Sequence, residues 1–270
     1  MIQFVGRWRR ADFAIARMQL AGKRNRRVMS MDKKVRLVKN ILLVEDDESV
    51  ANVICFYLQQ NPEYRVAWAR NAEEALTLVR EPTDLILLDI CLPDVNGVSL
   101  CATLRQSIYC PIIFISCLDD EDTIVRALGT GGDDYLTKPF SGKILQSRIE
   151  ANLRRVRMEH MEQARAGQAR YDFPDFSLDC ATHSLTRAGQ IHHLAPIEYA
   201  ILLYFIQNPE RIISLDELYE KIWETPVYGD LRTVITHVYN LRKIVEPDPG
   251  RQKYICNIRG SGYCFRGGKL

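Results

Sequence analysis

The sequence predicts an α/β first half, a doubly wound parallel sheet of five strands, followed by a smaller α+β unit. Three observations carry this. Five short runs rich in Ile, Leu and Val alternate with helix-like stretches between Asn40 and Arg155. The runs are mostly apolar, as strands are when helices cover both faces of a parallel sheet. Past Tyr171 the rhythm changes to short alternating segments, then helical periodicity, then a glycine-rich hairpin pattern.

In order, the apolar runs are Ile41–Val44, Arg65–Ala69, Leu85–Leu88, Ile112–Ile115 and Tyr135–Thr137. The helical stretches between them are Ser49–Gln60, Ala72–Arg80, Val98–Arg105 and Asp120–Gly129, and Lys143–Arg155 follows the last. Crossovers between parallel strands are right-handed by default. Such a sheet gathers its ligand site at the carboxyl ends of the strands. Residues 154–170 are polar and helix-prone, and read as the end of the fifth helix passing into a linker. The second unit opens with Phe176–Leu178 and with Leu185–Arg187 before the turn Ala188-Gly189. Helical patterns follow at Glu198–Gln207, Leu215–Ile222 and Arg232–Val245. It closes with Tyr254–Ile258 and Tyr263–Phe265 around Arg259-Gly260-Ser261-Gly262. The division is thus a basic tail at 1–38, a first domain at 39–155, a linker at 156–170 and a second domain at 171–267.

The 270 residues suit two domains. The composition, 47% hydrophobic and 26% charged, excludes a wholly disordered or fibrous chain. No apolar run is long enough to span a bilayer. Charge is unevenly spread. Residues 1–35 carry 10 Lys/Arg against 2 acids, whereas residues 36–153 carry 10 against 18. Residues 170–270 carry 12 of each, so nucleic-acid binding there requires a local patch. Three readings stay open for residues 1–34: a solvated tail or upstream translation start, a nucleic-acid-binding arm, and an Arg-rich transit peptide. The 8 cysteines form no C-x-x-C pair. They read as reduced thiols of a cytoplasmic protein, with Cys256 and Cys264 facing each other across the last hairpin.

Polar residues fall at matching places on the first domain. Glu45 and Asp46 follow the first strand, Asp89 ends the third, Ser116 ends the fourth and Lys138 follows the fifth. All map to one edge of the sheet. Converging carboxylates repel one another unless a cation intervenes. A hard divalent ion with oxygen ligands, Mg²⁺ above all, resolves the repulsion. Asp47 and Glu48 have a blander role, as acids at a helix start.

These residues carry a family resemblance. The stretches ILLVEDDE, LILLDICLPDVNG, IIFIS and DDYLTKPF resemble the receiver domain of two-component response regulators. The stretches LRTVITHVYNLRKIVE and YICNIRGSGYCF resemble the winged-helix effector of the OmpR/PhoB subfamily. Together they cover about residues 39–267. The resemblance implies a flavodoxin-like strand order 2-1-3-4-5 joined to a winged helix-turn-helix domain. It implies that Asp89 accepts a phosphoryl group from a sensor histidine kinase. Glu45, Asp46, Asp89 and the backbone carbonyl of Cys91 would hold Mg²⁺. Lys138 would pair with the phosphoryl group, with Lys138-Pro139 in the cis form. Ser116 and Tyr135 would be the switch pair. Phosphorylation would promote a homodimer, binding to double-stranded DNA and contact with RNA polymerase. No membrane partner is implied, and no enzyme activity beyond self-phosphorylation and slow self-dephosphorylation.

The chain departs from the family pattern at several positions. Cys117 stands where Ala is usual beside the acceptor. The dimer face is expected to involve Thr123, Asp133, Asp134, Ile144, Arg148 and Arg155. At Thr123 and Ile144 the usual opposite charges are missing, so the dimer is expected to be less dependent on salt, or weaker, or driven from a different face. Ala195 stands where the family usually has Thr, which removes a helix cap worth about 1 kcal/mol.

In Arg232–Val245 the residues Val234, Val238, Leu241 and Val245 recur at helical spacing and face a core. Arg232, Thr233, Thr236, His237, Tyr239, Asn240 and Lys243 lie on other faces, suited to a DNA major groove. Arg242 is assigned to a phosphate or an acid, and Arg259 at the hairpin tip to a minor groove. Tyr239 and Asn240 replace two Arg, so an A/T-leaning site and a shallow salt slope are expected. Two rivals remain. An aspartyl-phosphate phosphohydrolase typically has a second Asp two residues after its nucleophile, where Cys91 stands. A regulator of this architecture switched by ligand or partner without phosphorylation is the other.

Overall fold

Strand β1 (Lys39–Val44) leads through a turn into α1 (Glu48–Gln59). Asp47 starts that helix, its carboxylate accepting from Ser49 N at 2.7 Å and Val50 N at 3.2 Å. The pattern then repeats: β2 (Tyr64–Ala69), α2 (Ala72–Leu78), β3 (Leu85–Leu88), α3 (Gly97–Leu104), β4 (Ile112–Ser116), α4 (Glu121–Gly129) and β5 (Asp134–Thr137). Asn71, Asn96 and Asp120 cap the next three helices with their side chains. All five strands are parallel, in the order β2-β1-β3-β4-β5. The structure is a computed structural model and describes residues 38–79, 82–166, 170–223, 231–248 and 250–267. The open readings of residues 1–34 lie outside the described residues.

The period-two alternation of the strands splits the apolar residues between two cores. Leu42, Val44, Ile86, Leu88, Ile112 and Phe114 pack against α2, α3 and α4. Ile41, Leu43, Leu85, Leu87, Ile113 and Ile115 pack against α1 and the last helix of the domain. That helix, α5 (Gly142–Ala166), runs well past the expected end at Arg155 and takes up most of the expected linker. The cause is local. Residues 156–166 are Arg, Glu, Gln, Met and Ala with one Val and one His, and no Gly or Pro interrupts them before Gly167.

The C-terminal domain begins with an antiparallel sheet, β6 (Arg170–Asp172), β7 (Phe176–Asp179), β8 (Ser184–Arg187) and β9 (Gln190–His193). Then come α6 (Pro196–Gln207), β10 (Ile212–Ile213), α7 (Leu215–Trp223), α8 (Arg232–Val245), β11 (Ile255–Ile258) and β12 (Gly262–Phe265). The last three strands form a sheet in the order β10-β12-β11. Strands β6, β9 and β10 were not expected; β6 and β9 carry a single apolar residue each and β10 is two residues long, so none shows an apolar pattern. Cys256 sits directly opposite Cys264 in the hairpin, and both thiols are free. The three helices and the hairpin share one core, with Leu202, Phe205, Trp223, Val238, Leu241 and Phe265 fully buried. Residues 37–270 pack as one compact unit, so the two domains touch.

Candidate functional site

The carboxyl edge of the parallel sheet brings the expected acids together. The Glu45 amide donates to Ala69 O, and the Asp89 amide donates to Val44 O at 2.9 Å. The first-strand and third-strand ends are thereby locked side by side. The carboxylates of Glu45, Asp46 and Asp89 lie within 4.8 Å of one another. Glu45 and Asp89 are buried, whereas Asp46 is exposed. Lys138 reaches across from the end of β5, its Nζ donating to Glu45 Oε2 at 2.7 Å and to Asp89 Oδ2 at 2.8 Å. The Lys138 amide donates to Ser116 O, and the Lys138-Pro139 peptide bond is cis. The second Asp89 oxygen accepts from Cys91 N at 3.2 Å. Ser116 is fully buried, and Leu118 N donates to its Oγ at 3.4 Å. Tyr135 is buried nearby, and its hydroxyl donates to Leu118 O at 2.6 Å.

The site is short of positive charge. Burial pushes the Glu45 carboxyl up to about 7; Lys138 pulls it down, while Asp89 and Asp46 push it further up. Burial also works against charge on Lys138, but its hydrogen bonds to Asp89 and Glu45 outweigh this and raise its pKa. Three carboxylates against one ammonium leave an excess of negative charge at an open edge. This oxygen-only donor set fits a hard divalent cation.

Three contributors to this site were not anticipated. The Trp68 indole donates to Glu45 O at 2.7 Å, with the Arg70 guanidinium stacked over it at 4.4 Å. Asp94 receives the Ala72 amide at 2.9 Å and ties the loop after β3 to the start of α2. Gly97 packs directly against the backbone that carries Asp89; a Cβ there would overlap the Asp89 carbonyl oxygen and lie 2.8 Å from Ile90 Cα. Of the three only Gly97 carries a sequence signal, as the second residue of the turn-forming pair Asn96-Gly97.

The expected DNA-contacting residues divide into two sets. Arg232, Tyr239 and Lys243 are exposed on α8, Arg242 is half-buried, and Arg259 stands exposed at the hairpin tip. Lys243 Nζ lies 4.2 Å from the Tyr239 ring centre. Thr233, Thr236, His237 and Asn240, read from the sequence as lying off the core, are buried. The reason is the neighbouring domain. The His237 Nε2 lies 3.2 Å from Asp133 O, Asn240 packs over Gly129, and Thr233 lines a cavity with Tyr135 and Arg148. The helix thus has two buried faces where periodicity revealed one.

The same contact uses residues of the expected dimer face. Asp133, Asp134, Thr123, Arg148 and Arg155 are all buried, and only Ile144 is exposed. Arg148 pairs with Asp134 at 3.2 Å, Arg155 with Asp133 at 3.6 Å, and Arg105 also reaches Asp133. Arg148 in addition lies over the Tyr219 ring of α7 at 5.6 Å. In this arrangement the acids find their bases within one chain.

Residues 41–150 match the family described as response regulator receiver domain, and residues 189–265 match transcriptional regulatory protein, C terminal. The chain is 34% identical to the phosphate regulon transcriptional regulatory protein PhoB of Escherichia coli (strain K12) over 233 residues. That alignment covers 85% of this chain and 98% of PhoB. It is 35% identical to the DNA-binding response regulator MtrA of Mycolicibacterium smegmatis over 226 residues, 83% of this chain and 96% of MtrA. The chain belongs to the OmpR/PhoB family of response regulators. A solved structure of a RitR cysteine variant, 22% identical, matches in fold with a TM-score of 0.71, covering 85% of this chain and all of that one. The N-terminal domain is therefore a receiver and the C-terminal domain an effector of the transcriptional-regulator type. Among the described residues no helix is long and apolar enough to cross a membrane.

Proposed function

We propose that this response regulator is switched by phosphorylation of Asp89 by a sensor histidine kinase, in the cytoplasm, and that the switch frees the effector to bind DNA as a homodimer and control transcription with RNA polymerase. The observation that carries the reading is Asp89 held at 2.8 Å from Lys138 beside two further carboxylates, in a chain that also has a DNA-binding effector. Asp89 is the nucleophile: a carboxylate oxygen attacks phosphorus, the P–N bond to the kinase histidine breaks, and the imidazole leaves with the bonding pair. Glu45, Asp46, Asp89 and the Cys91 carbonyl are the ligands for Mg²⁺. Held by these ligands, the ion would supply positive charge for the phosphoryl oxygens. Lys138 offsets charge on the transferred group. Ser116 would then donate its hydroxyl to a phosphoryl oxygen, and Tyr135 would move with it.

The effector reads DNA with α8 and the hairpin. Arg232, Tyr239, Lys243 and Arg259 are ready for contact, with Arg242 behind them. Thr233, Thr236, His237 and Asn240 come into use only when the receiver withdraws. Asn240 suits adenine in the major groove, and Arg259 suits a narrow minor groove. The freed Asp133, Asp134, Arg148 and Arg155, with Thr123 and Ile144, are then the surface for a second copy. The test is intact mass after incubation with Mg²⁺ and acetyl phosphate, beside Asp89→Ala. Gain of one phosphoryl group by the parent alone is expected. Failure with acetyl phosphate and with a panel of histidine kinases would overturn the reading in favour of a phosphate-independent switch.

A further inference from the structure

Helix α6 starts without a side-chain cap of its own. Ala195 holds the N-cap position with extended backbone, φ −63° and ψ 153°, but its methyl group has no acceptor. Half of a capping box exists, since Ala195 N donates to Glu198 Oε2 at 3.2 Å. The reciprocal bond has no acceptor. The first amides of a helix have no partner within it and must find one elsewhere. The Ile197 amide, at the second helical position, donates instead to Asp133 Oδ1 at 2.8 Å. Asp133 belongs to the receiver, 64 residues earlier in the chain.

The receiver holds this carboxylate ready. Asp133 Oδ2 accepts from Ile112 N at 2.8 Å and from the Arg105 guanidinium. A carboxylate at a helix N-terminus also meets the positive end of the helix dipole. The backbone carbonyl of the same residue faces His237 on α8. One receiver residue therefore touches two of the three helices among the effector's described residues.

We propose that Asp133 is a detachable helix cap: the receiver surface between α4 and β5 fits an uncapped helix start, and its partner is α6 of the same chain. The substitution that leaves Ala195 without an acceptor makes the effector depend on the receiver for that cap. Domain docking and order at the start of α6 then become a single equilibrium. A second copy that claims Asp133 through its guanidinium groups removes the cap at the same moment. The inference rests on the phosphorylation reading for its trigger.

The experiment follows hydrogen exchange of the first turn of α6 in the full chain, with and without Mg²⁺ and beryllofluoride. DNA binding is measured in parallel on duplexes selected from a random library by the activated protein. Activation is expected to speed exchange at Ile197 about fivefold, the equivalent of a cap worth ~1 kcal/mol. Ala195→Ser supplies its own acceptor. In that variant activation should change exchange less than twofold, and the unactivated protein should bind DNA several-fold more tightly than the parent. If activation strengthens DNA binding in the parent and leaves Ile197 exchange unchanged, the detachable cap is wrong and the phosphorylation reading stands. An Ala195→Ser protein that responds as the parent does overturns the cap as well. Should activation change neither exchange nor DNA binding, the phosphorylation reading falls and takes the inference with it.

Discussion

One histidine should push the receiver away from the effector as pH falls. His237 is fully buried, with Asp133 O at its Nε2 and the Trp223 ring 6.1 Å away. Burial first, then the nearby Arg155 guanidinium, lower its pKa from 6.5 to about 3; the Asp133 carbonyl pulls weakly the other way. A histidine depressed in the docked form favours docking fully above its free pKa. That support is lost as pH falls below 6.5, because the undocked form takes up the proton first. Between pH 7.5 and 5.5 the open form should gain about tenfold, or ~1.4 kcal/mol. Glu198 opposes this. Burial raises it to about 7 beside Asp133, so it favours the closed form as pH falls. The quantity to measure is therefore the difference between the parent and His237→Gln. Small-angle scattering across pH 8 to 5 reads the open fraction of each as radius of gyration. The parent should open about tenfold more than the variant over the stated interval. Superimposable pH profiles would refute the assignment of His237 to the domain contact.

Four further outcomes follow, three at the carboxylate site and one at the effector hairpin. Apparent Mg²⁺ affinity, read from Trp68 fluorescence, should weaken about tenfold per unit as pH falls below 7, because a protonated Glu45 cannot serve as a ligand. Lys138→Met should tighten Mg²⁺ binding severalfold in the same titration, since a cation now bonded to Glu45 and Asp89 is gone. Gly97→Ala should cost about 3 kcal/mol in a denaturant melt and slow Asp89 phosphorylation in the mass assay, because its Cβ displaces the acceptor's own backbone. Gly262→Ala should loosen the hairpin and weaken DNA binding. That residue has φ of +133°, and a Cβ there would overlap Ile213 O.

Much of the receiver was legible because its signals are local or edge-aligned. Each strand is a short apolar run, and Glu45, Asp89, Ser116 and Lys138 each follow or end one. The parallel sheet then brings them together without any knowledge of packing. The long reach of α5 was half visible in its helix-forming composition; what misled was polarity taken for a linker. Trp68 gave no sign, since an indole in a strand looks like any aromatic until its partner across the sheet is known. The buried face of α8 was illegible for a different reason. Thr233, His237 and Asn240 are polar, and they are buried by another domain rather than by the helix's own core. Periodicity reports one apolar stripe and is silent about polar surfaces that meet. Ala195 was the exception: a missing cap in the sequence marked the place where the receiver intervenes.

Helix α5 ends at Ala166 and β6 begins at Arg170, so three residues separate the two. From Ala166 to Arg170 a fully extended chain spans at most about 14 Å. An effector that lets go therefore cannot leave; it meets its receiver again at a local concentration on the order of millimolar. A second copy present at micromolar concentration competes at about a thousandfold disadvantage, some 4 kcal/mol. Contacts as modest as one borrowed cap, one neutral histidine and a few ion pairs are then enough to hold the chain closed. On the proposed switch, dimerisation would be driven by a change inside the receiver rather than by abundance of the protein alone, and raising the level of the unmodified chain severalfold should leave its DNA sites largely empty.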